Sequence, residues 1–378
     1  MFNELNFVYS LEPNKYAIMN KNRLILGAMA LGLSTGAFAQ PEKFVVVEEK
    51  TGTWCGWCPY GTVAFANLEE DEPNFIGIAV HNGDPMAVSS YDDATGSLPD
   101  FSGYPYACAD RVEGDHAFYA TDGFAARENE TPAASIEAVG IVDGDQLEIK
   151  ILANFTEQQT GDWRLAGVVV EDGVTGSGSG YAQANYFPGS GYELTGAGKV
   201  WHEEPNPVPA TDMVYDHVAR ALGDDEWEGV DASLPETMDA DVNYWFSYYV
   251  DLDPSWDLSN LHVVGMLVEP DGTINNAGKG NVGTVGIEEE ATNNFAITAY
   301  PNPASQFVNM SIELQEAANV KVEVVNMLGA VVTTIETQNL NAGTHYNELN
   351  VADLTEGVYF IKSTINDAVE MTRIVVQH

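Results

Sequence analysis

Basic residues are scarce in this chain: 15 Lys and Arg stand against 57 Asp and Glu, a formal net charge of −42 over 378 residues. A surface so acidic repels phosphate backbones and anionic lipid, which excludes nucleic acid as a partner class. It points instead to salty or cation-rich surroundings, where the charges are screened. Cysteine is scarcer still. Three cysteines cannot staple a chain of this length, and two of them, Cys55 and Cys58, form one C-x-x-C pair while Cys108 stands alone. Long apolar runs are also missing. The stretch from Leu24 to Leu33 has about ten residues against the roughly 20 a membrane-spanning helix needs, so no transmembrane segment is expected. There is no G-x-S-x-G, no P-loop, no strand–glycine–helix dinucleotide fingerprint and no EF-hand loop.

What is present suits a folded, exported protein. Hydrophobic residues make up 45% and aromatics 10%, enough for packed cores, and the length predicts two or three domains. Residues 19–39 read as a signal peptide: Lys21 and Arg23, then the apolar run, then Ala37-Phe38-Ala39 ahead of Gln40. The first 18 residues add nothing to that signal and read as an extension ahead of a true start at Met19. A precursor peptide beginning at Met1 would refute that start. Export places the cysteine pair where disulfides persist.

Residues 40–132 read as an α/β domain. Phe44–Glu49 is a short β-branched strand, followed by Lys50-Thr51-Gly52-Thr53, the pair in Trp54-Cys55-Gly56-Trp57-Cys58-Pro59, and a helix from Tyr60 to Leu68. A thiol at a helix N-terminus faces unpaired N–H groups and the positive end of the helix dipole, which favours thiolate. Pro59 is tolerated in the first turn, where little N–H bonding is lost. Phe75–Val80 reads as a buried strand, and Asp84–Asp100 holds the next helix or loop. This order resembles the thioredoxin fold, which sets a cis-proline beside its cysteines. By that resemblance the cis-proline is Pro105, with Tyr104 before it, offering strand-like backbone hydrogen bonds to a peptide near Cys55.

Alternatives stay open at each residue. The pair is an exchange centre, an inert structural disulfide, or a metal ligand set; zinc is disfavoured because no second C-x-x-C or paired histidines complete it. Glu49, six residues before Cys55, is either a buried proton acceptor or a solvated strand end. Trp54 and Trp57 either flank a peptide groove or cover the cysteine helix. Cys108 reads as a small buried hydrophobe.

Residues 133–286 read as an antiparallel β-sandwich with a helical insert. Strands are expected at Ser135–Gly140, Gln146–Phe155, Arg164–Glu171, Asn243–Val250 and Leu261–Glu269, with Asp143-Gly144-Asp145 as a hairpin turn. The insert, Thr211 to Leu222, shows Val214, Val218 and Ala221 or Leu222 at helical spacing. The tracts 173–180 and 186–210 read as long loops. His202, Asp216, His217 and Arg220 match no metal-ligand spacing, and Asp224-Asp225-Glu226 offers carboxylates that could take Ca²⁺. No other cofactor is expected.

After an acidic linker at 287–296, residues 297–378 read as a small immunoglobulin-like β-sandwich. Its runs are Asn309–Leu314, Val320–Val325, Ala330–Ile335, Tyr346–Val351, Val358–Thr364 and Glu370–Val376. Tyr300-Pro301-Asn302-Pro303-Ala304, Val325-Asn326-Met327-Leu328-Gly329, Leu354–Lys362 and the strand carrying Arg373 occur in an order that resembles the type A sorting domain of the type IX secretion system, found in Bacteroidota. That resemblance implies handling by the type IX secretion machinery, export across the outer membrane, removal of the domain and surface attachment of the rest.

Upstream, Glu48-Glu49-x-Thr51-Gly52-Thr53-Trp54-Cys55-Gly56-x-Cys58-Pro59, Gly103-Tyr104-Pro105, Asp110-Arg111, Tyr181-x-Gln183-x-Asn185-Tyr186 and His217-Val218-Ala219-Arg220 resemble the outer membrane protein 28 family. That family pairs a thioredoxin-like domain with a β-sandwich at the cell surface. Lys50 departs from the apolar residue usual in such strands, and Trp57 from the proline usual between the cysteines. The expected function is thiol–disulfide exchange on exported proteins through Cys55 and Cys58. The alternatives are surface binding with a fixed disulfide and cation-dependent adhesion through the acidic surface.

Overall fold

The structure is a computed structural model that describes residues 40–284, 295–326, 330–352, 354–366 and 368–378. The expected signal peptide, the extension before it and most of the 287–296 linker lie outside these residues.

The first strand, β1 (Val45–Thr51), is wholly buried although it carries Glu48, Glu49 and Lys50 in succession. It pairs in parallel with β2 (Phe75–His81) and antiparallel with β3 (Tyr106–Ala109), which pairs antiparallel with β4 (Glu113–His116). The strand order is therefore β2-β1-β3-β4. Because side chains alternate across a strand, Val45 and Val47 face α1 (Pro59–Asp71) and α3 (Ala120–Arg127), packing with Phe65, Leu68 and Phe124. Val46 faces the other way, into a layer with Ile76, Ile78, Val80 and Tyr91 of α2 (Ser89–Thr95). The helix after the cysteines, expected from Tyr60 to Leu68, thus starts one residue earlier at Pro59 and ends three residues beyond Leu68.

Residues 133–284 supply β5 (Ala134–Asp143), β6 (Gln146–Phe155), β7 (Arg164–Glu171), β8 (Val218–Leu222), β9 (Asn243–Asp251), β10 (Leu261–Val268) and β11 (Ile274–Thr284). The order β9-β6-β5 forms one layer and β11-β10-β7-β8 the other, joined where β11 runs parallel to β5 at Val282–Thr284. Ile149, Ile151, Phe246, Leu165, Val169, Val263 and Leu267 fill the space between. On the far face of β7 and β10, Ala166, Val168, Val170, Val264 and Met266 pack against the β2 layer. Both faces of these strands are buried, which is why they read as continuous apolar runs.

One expectation is corrected here, and a second finding goes beyond the expected strands. The 211–222 insert is not helical: a single 3₁₀ turn at Ala210–Asp212 leads to strand β8. β8 pairs antiparallel with β7 and meets β2 in parallel at Val218 and Ala79, welding the two sheets into one. Val218 and Leu222 satisfy strand burial as well as helical spacing, and the sheet edges on either side supply the hydrogen bonds that decide between them. The second concerns β11, which the sequence does not announce. Its Asn/Gly-rich run is a strand because Gly278 and Gly280 press against β5: an added Cβ would lie 2.3 Å from Ile136 O and 1.8 Å from Ala138 O.

The C-terminal strands are β12 (Phe295–Tyr300), β13 (Phe307–Leu314), β14 (Ala318–Asn326), β15 (Val331–Leu340), β16 (Gly343–Asn350), β17 (Gly357–Ile365) and β18 (Ala368–Val376). The sheet β12-β13-β16 faces β15-β14-β17-β18 across Ile297, Val308, Met310, Ile312, Val320, Val322, Ile361 and Ile374. All six predicted runs fall on strands. The domain begins earlier than expected, since Phe295, assigned to the linker, is buried in β12. β18 also extends the middle layer, pairing in parallel with β9 over Asn243–Phe246.

Candidate functional site

The cysteine loop is tied down from beneath by the end of β2. Asp84 accepts the Thr53 N–H (2.9 Å) and the Met86 N–H (2.9 Å), and His81 Nδ1 lies 2.7 Å from its carboxylate. Cys55 and Cys58 are joined in a disulfide with Cα atoms 5.3 Å apart. Cys58 C=O accepts the Gly61 N–H at 2.9 Å, starting α1, and Pro59 takes the position where no N–H is required. Trp54 stands 49% exposed, donates its indole N–H to Asn82 O (2.7 Å) and meets the Tyr104 ring edge-on at 5.1 Å. The Tyr104–Pro105 bond is cis. The structure therefore gathers Trp54 and Tyr104 beside the cysteine loop. Trp57 points away from them, into a half-buried cluster with Tyr60, Tyr186, Phe187 and Tyr192.

Charges on β1 flank the site on two sides. Glu49 lies beneath the first turn of α1; a Cβ on Gly61 would come 1.8 Å from Glu49 Oε1, so any larger residue there would push the carboxyl aside. Burial pushes the Glu49 carboxyl up to about 8, with the Thr51 side chain working the other way. Its Oε1 has no hydrogen-bond partner and it lines a cavity of ≈ 50 Å³ shared with Thr62, His81, Gln183 and His217. It is thus a buried carboxyl, not a solvated strand end. On the opposite face Lys50 donates to Asp92 O (2.7 Å), Asp92 Oδ1 (2.8 Å) and Thr95 Oγ1 (3.0 Å), with the Phe101 and Tyr104 rings beside it. A cation in this strand is accommodated because α2 brings an acceptor to each of its protons.

A segment absent from the expected site covers it. Ala184 N donates to Thr53 O (2.7 Å), Tyr186 N to Gly56 O (2.9 Å), and the buried Gln183 side chain to Cys55 O (2.9 Å). Thr53 Oγ1 donates back to Gly180 O at 2.8 Å. Cys55 is 5% and Cys58 1% exposed. The run Tyr181–Phe187, aromatic and amide-rich between glycine-rich stretches, was the available signal.

The remaining candidates do not form one cluster: Asp216 and His217 line the Glu49 cavity, and the others lie elsewhere. His217 Nε2 lies 3.3 Å from Glu69, while Arg220 pairs with Glu171 at 3.1 Å; both sit at or on the strand β8, not on a helical turn. His202 contacts Leu194. Asp224 is held by Arg373 at 2.9 Å and Asp225 by Ser90 at 2.9 Å. Cys108 is fully buried, and that burial pushes its thiol up to about 12, away from thiolate chemistry. No helix among the described residues is long and apolar enough to cross a membrane.

No curated protein matches the chain. Among solved structures, dimeric latent PorU from Porphyromonas gingivalis is similar at 12% identity and TM-score 0.21, covering 74% of this chain and 24% of that one. Red sea bream transglutaminase gives 11% and 0.18, with 86% and 46% covered. Trypsin-activated α2-macroglobulin from Escherichia coli gives 12% and 0.21, with 65% and 17% covered. The chain thus spans less than half the length of each, and similarity at this level carries no argument about what it does. Residues 298–377 match the family model of the secretion system C-terminal sorting domain, which indicates handling by the type IX secretion machinery, export and attachment to the cell surface.

Proposed function

We propose that residues 40–132 are a thioredoxin-like domain of an outer membrane protein 28-type chain, and that Cys55 and Cys58 exchange disulfides with exported proteins. The observation that carries this reading is a cysteine pair closed at the N-terminus of α1, with Glu49, a buried carboxyl whose Oε1 has no hydrogen-bond partner, beneath the first turn of that helix. The order β2-β1-β3-β4, with helices on both faces, also supports it. In the reduced protein the Cys55 thiolate attacks one sulfur of a substrate disulfide and displaces the other as a thiolate. The Cys58 thiol then passes its proton to a nearby base, a role Glu49 fills in its ionised form, and attacks the Cys55 sulfur. The substrate leaves with two thiols and the protein keeps the disulfide. Trp54 offers exposed ring surface in the cysteine loop, with the half-buried Tyr104 ring edge-on to it.

The near-complete burial of both cysteines favours a second reading, a surface binding protein with a fixed disulfide. The reduction potential separates the two. Exchange predicts a value above about −230 mV, whereas a value below about −300 mV marks a structural bond and sinks the first reading. Exchange further predicts that Cys58→Ser, reduced and mixed with a disulfide-containing protein, accumulates a partner linked through Cys55. No such adduct on non-reducing gels would count against it.

A further inference from the structure

The lid over the disulfide belongs to an insertion between β7 and β8. Its neck is a two-way backbone bridge, Val174 N to Tyr215 O at 2.8 Å and Tyr215 N to Val174 O at 2.9 Å. Within the insertion, Gln183 and Val208 exchange backbone hydrogen bonds, and Asn185, fully buried, donates to Trp201 O at 2.8 Å. Phe187, Trp201, Leu194, Val208 and Met213 give it a small core, which it shares with Val63 of α1 and with Met86. The insertion thus carries its own internal support. Its hold on the cysteine loop is thinner: the bonds from Ala184 N, Tyr186 N and the Gln183 amide, the one returned by Thr53, and the ring contacts of Trp57.

The geometry of that hold is specific. The backbone N–H groups of Ala184 and Tyr186 reach the carbonyls of Thr53 and Gly56, on the two sides of Cys55. The Tyr186 ring lies over Gly56, where a Cβ would come 2.3 Å from it. Glycines flank the segment, Gly176, Gly178 and Gly180 before it and Gly189 and Gly191 after it, the last two at φ +72° and +85°. Gln183 also lines the Glu49 cavity, so one segment closes both the disulfide and the buried carboxyl from water.

We infer that residues 181–187 are an intramolecular strap whose bonds to the Thr53, Cys55 and Gly56 carbonyls latch the disulfide until a polypeptide substrate displaces the strap. The inference rests on the exchange reading for its substrate, but the latch itself is measured separately. In the full exported protein, the pseudo-first-order reduction of Cys55–Cys58 by dithiothreitol, followed by alkylation and mass, is expected to rise at least tenfold in Gln183→Ala/Tyr186→Ser. Gln183→Ala alone should give a smaller rise. Rates are read well below the urea transition, beside Arg111→Met, which weakens the fold without touching the strap and should leave the rate unchanged. An unaltered rate in both strap variants overturns the latch, as does an equal rise in Arg111→Met. If the strap variants reduce quickly yet exchange nothing with a disulfide-containing protein, the latch stands and the exchange reading fails.

Discussion

Arg111→Met is expected to lower the unfolding free energy by about 3–5 kcal/mol, the cost of leaving a buried carboxylate without its cation. Glu48 is fully buried in β1 and accepts from Arg111 Nε (3.0 Å) and Nη2 (3.2 Å), Tyr91 Oη (2.7 Å) and Trp227 Nε1 (2.9 Å). The guanidinium also lies 4.0 Å from the Trp227 ring centre. Arg111 has φ +61° and follows Asp110 at φ +50°, a left-handed pair held only because both side chains are fastened. Asp110 accepts from Lys43 (2.6 Å) and from Val46 N (3.0 Å). Adding Glu48→Gln to Arg111→Met removes the stranded charge while keeping an acceptor for Tyr91 and Trp227, so part of the loss should return. Urea denaturation of the four-member cycle measures this. A single-variant loss below about 1 kcal/mol, the range of an exposed pair, would show that the network is not what holds β1.

Glu49→Gln is expected to flatten the alkaline side of the stability profile. A carboxyl raised to about 8 by burial keeps its proton in the folded state while the unfolded chain has released it above about 4.5. Between those values the native state binds more protons, so stability falls as pH rises, by about 1.4 kcal/mol per pH unit for this group. The penalty is complete above pH 8, on the order of 4–5 kcal/mol, and absent below pH 4.5. Glutamine carries no proton to lose. The variant should therefore match the wild type near pH 5 and exceed it by several kcal/mol at pH 9, read from urea midpoints across that range. Parallel curves would mean that Glu49 is solvated. A slower exchange rate in the same variant, together with the gain in stability, would mark the carboxyl as a functional group retained against the interest of the fold.

How much was legible before the fold differs by element. The cysteine pair ahead of a helix could be read because its determinants are local: a proline tolerated at the first helical position, and strand runs on either side. The six C-terminal runs were legible for the same reason, each a β-branched stretch bounded by turn residues. Strand β8 was misread because five residues satisfy both periods, and the neighbours that decide between them, β2 and β7, lie far away in sequence. Strand β11 was missed because its glycines suit the close approach of β5, which no local pattern records.

The sequence by itself determined an acidic chain with one vicinal cysteine pair and a β-rich C-terminal region, since charge balance, spacing and periodicity are properties of neighbouring residues. Only the tertiary structure decided that Glu48, Glu49 and Lys50 are all buried and that a segment some 130 residues downstream closes over Cys55. A side chain's environment, and the hydrogen bonds that make a buried charge or a covered disulfide tolerable, are supplied by elements distant in the chain and fixed only when the layers pack.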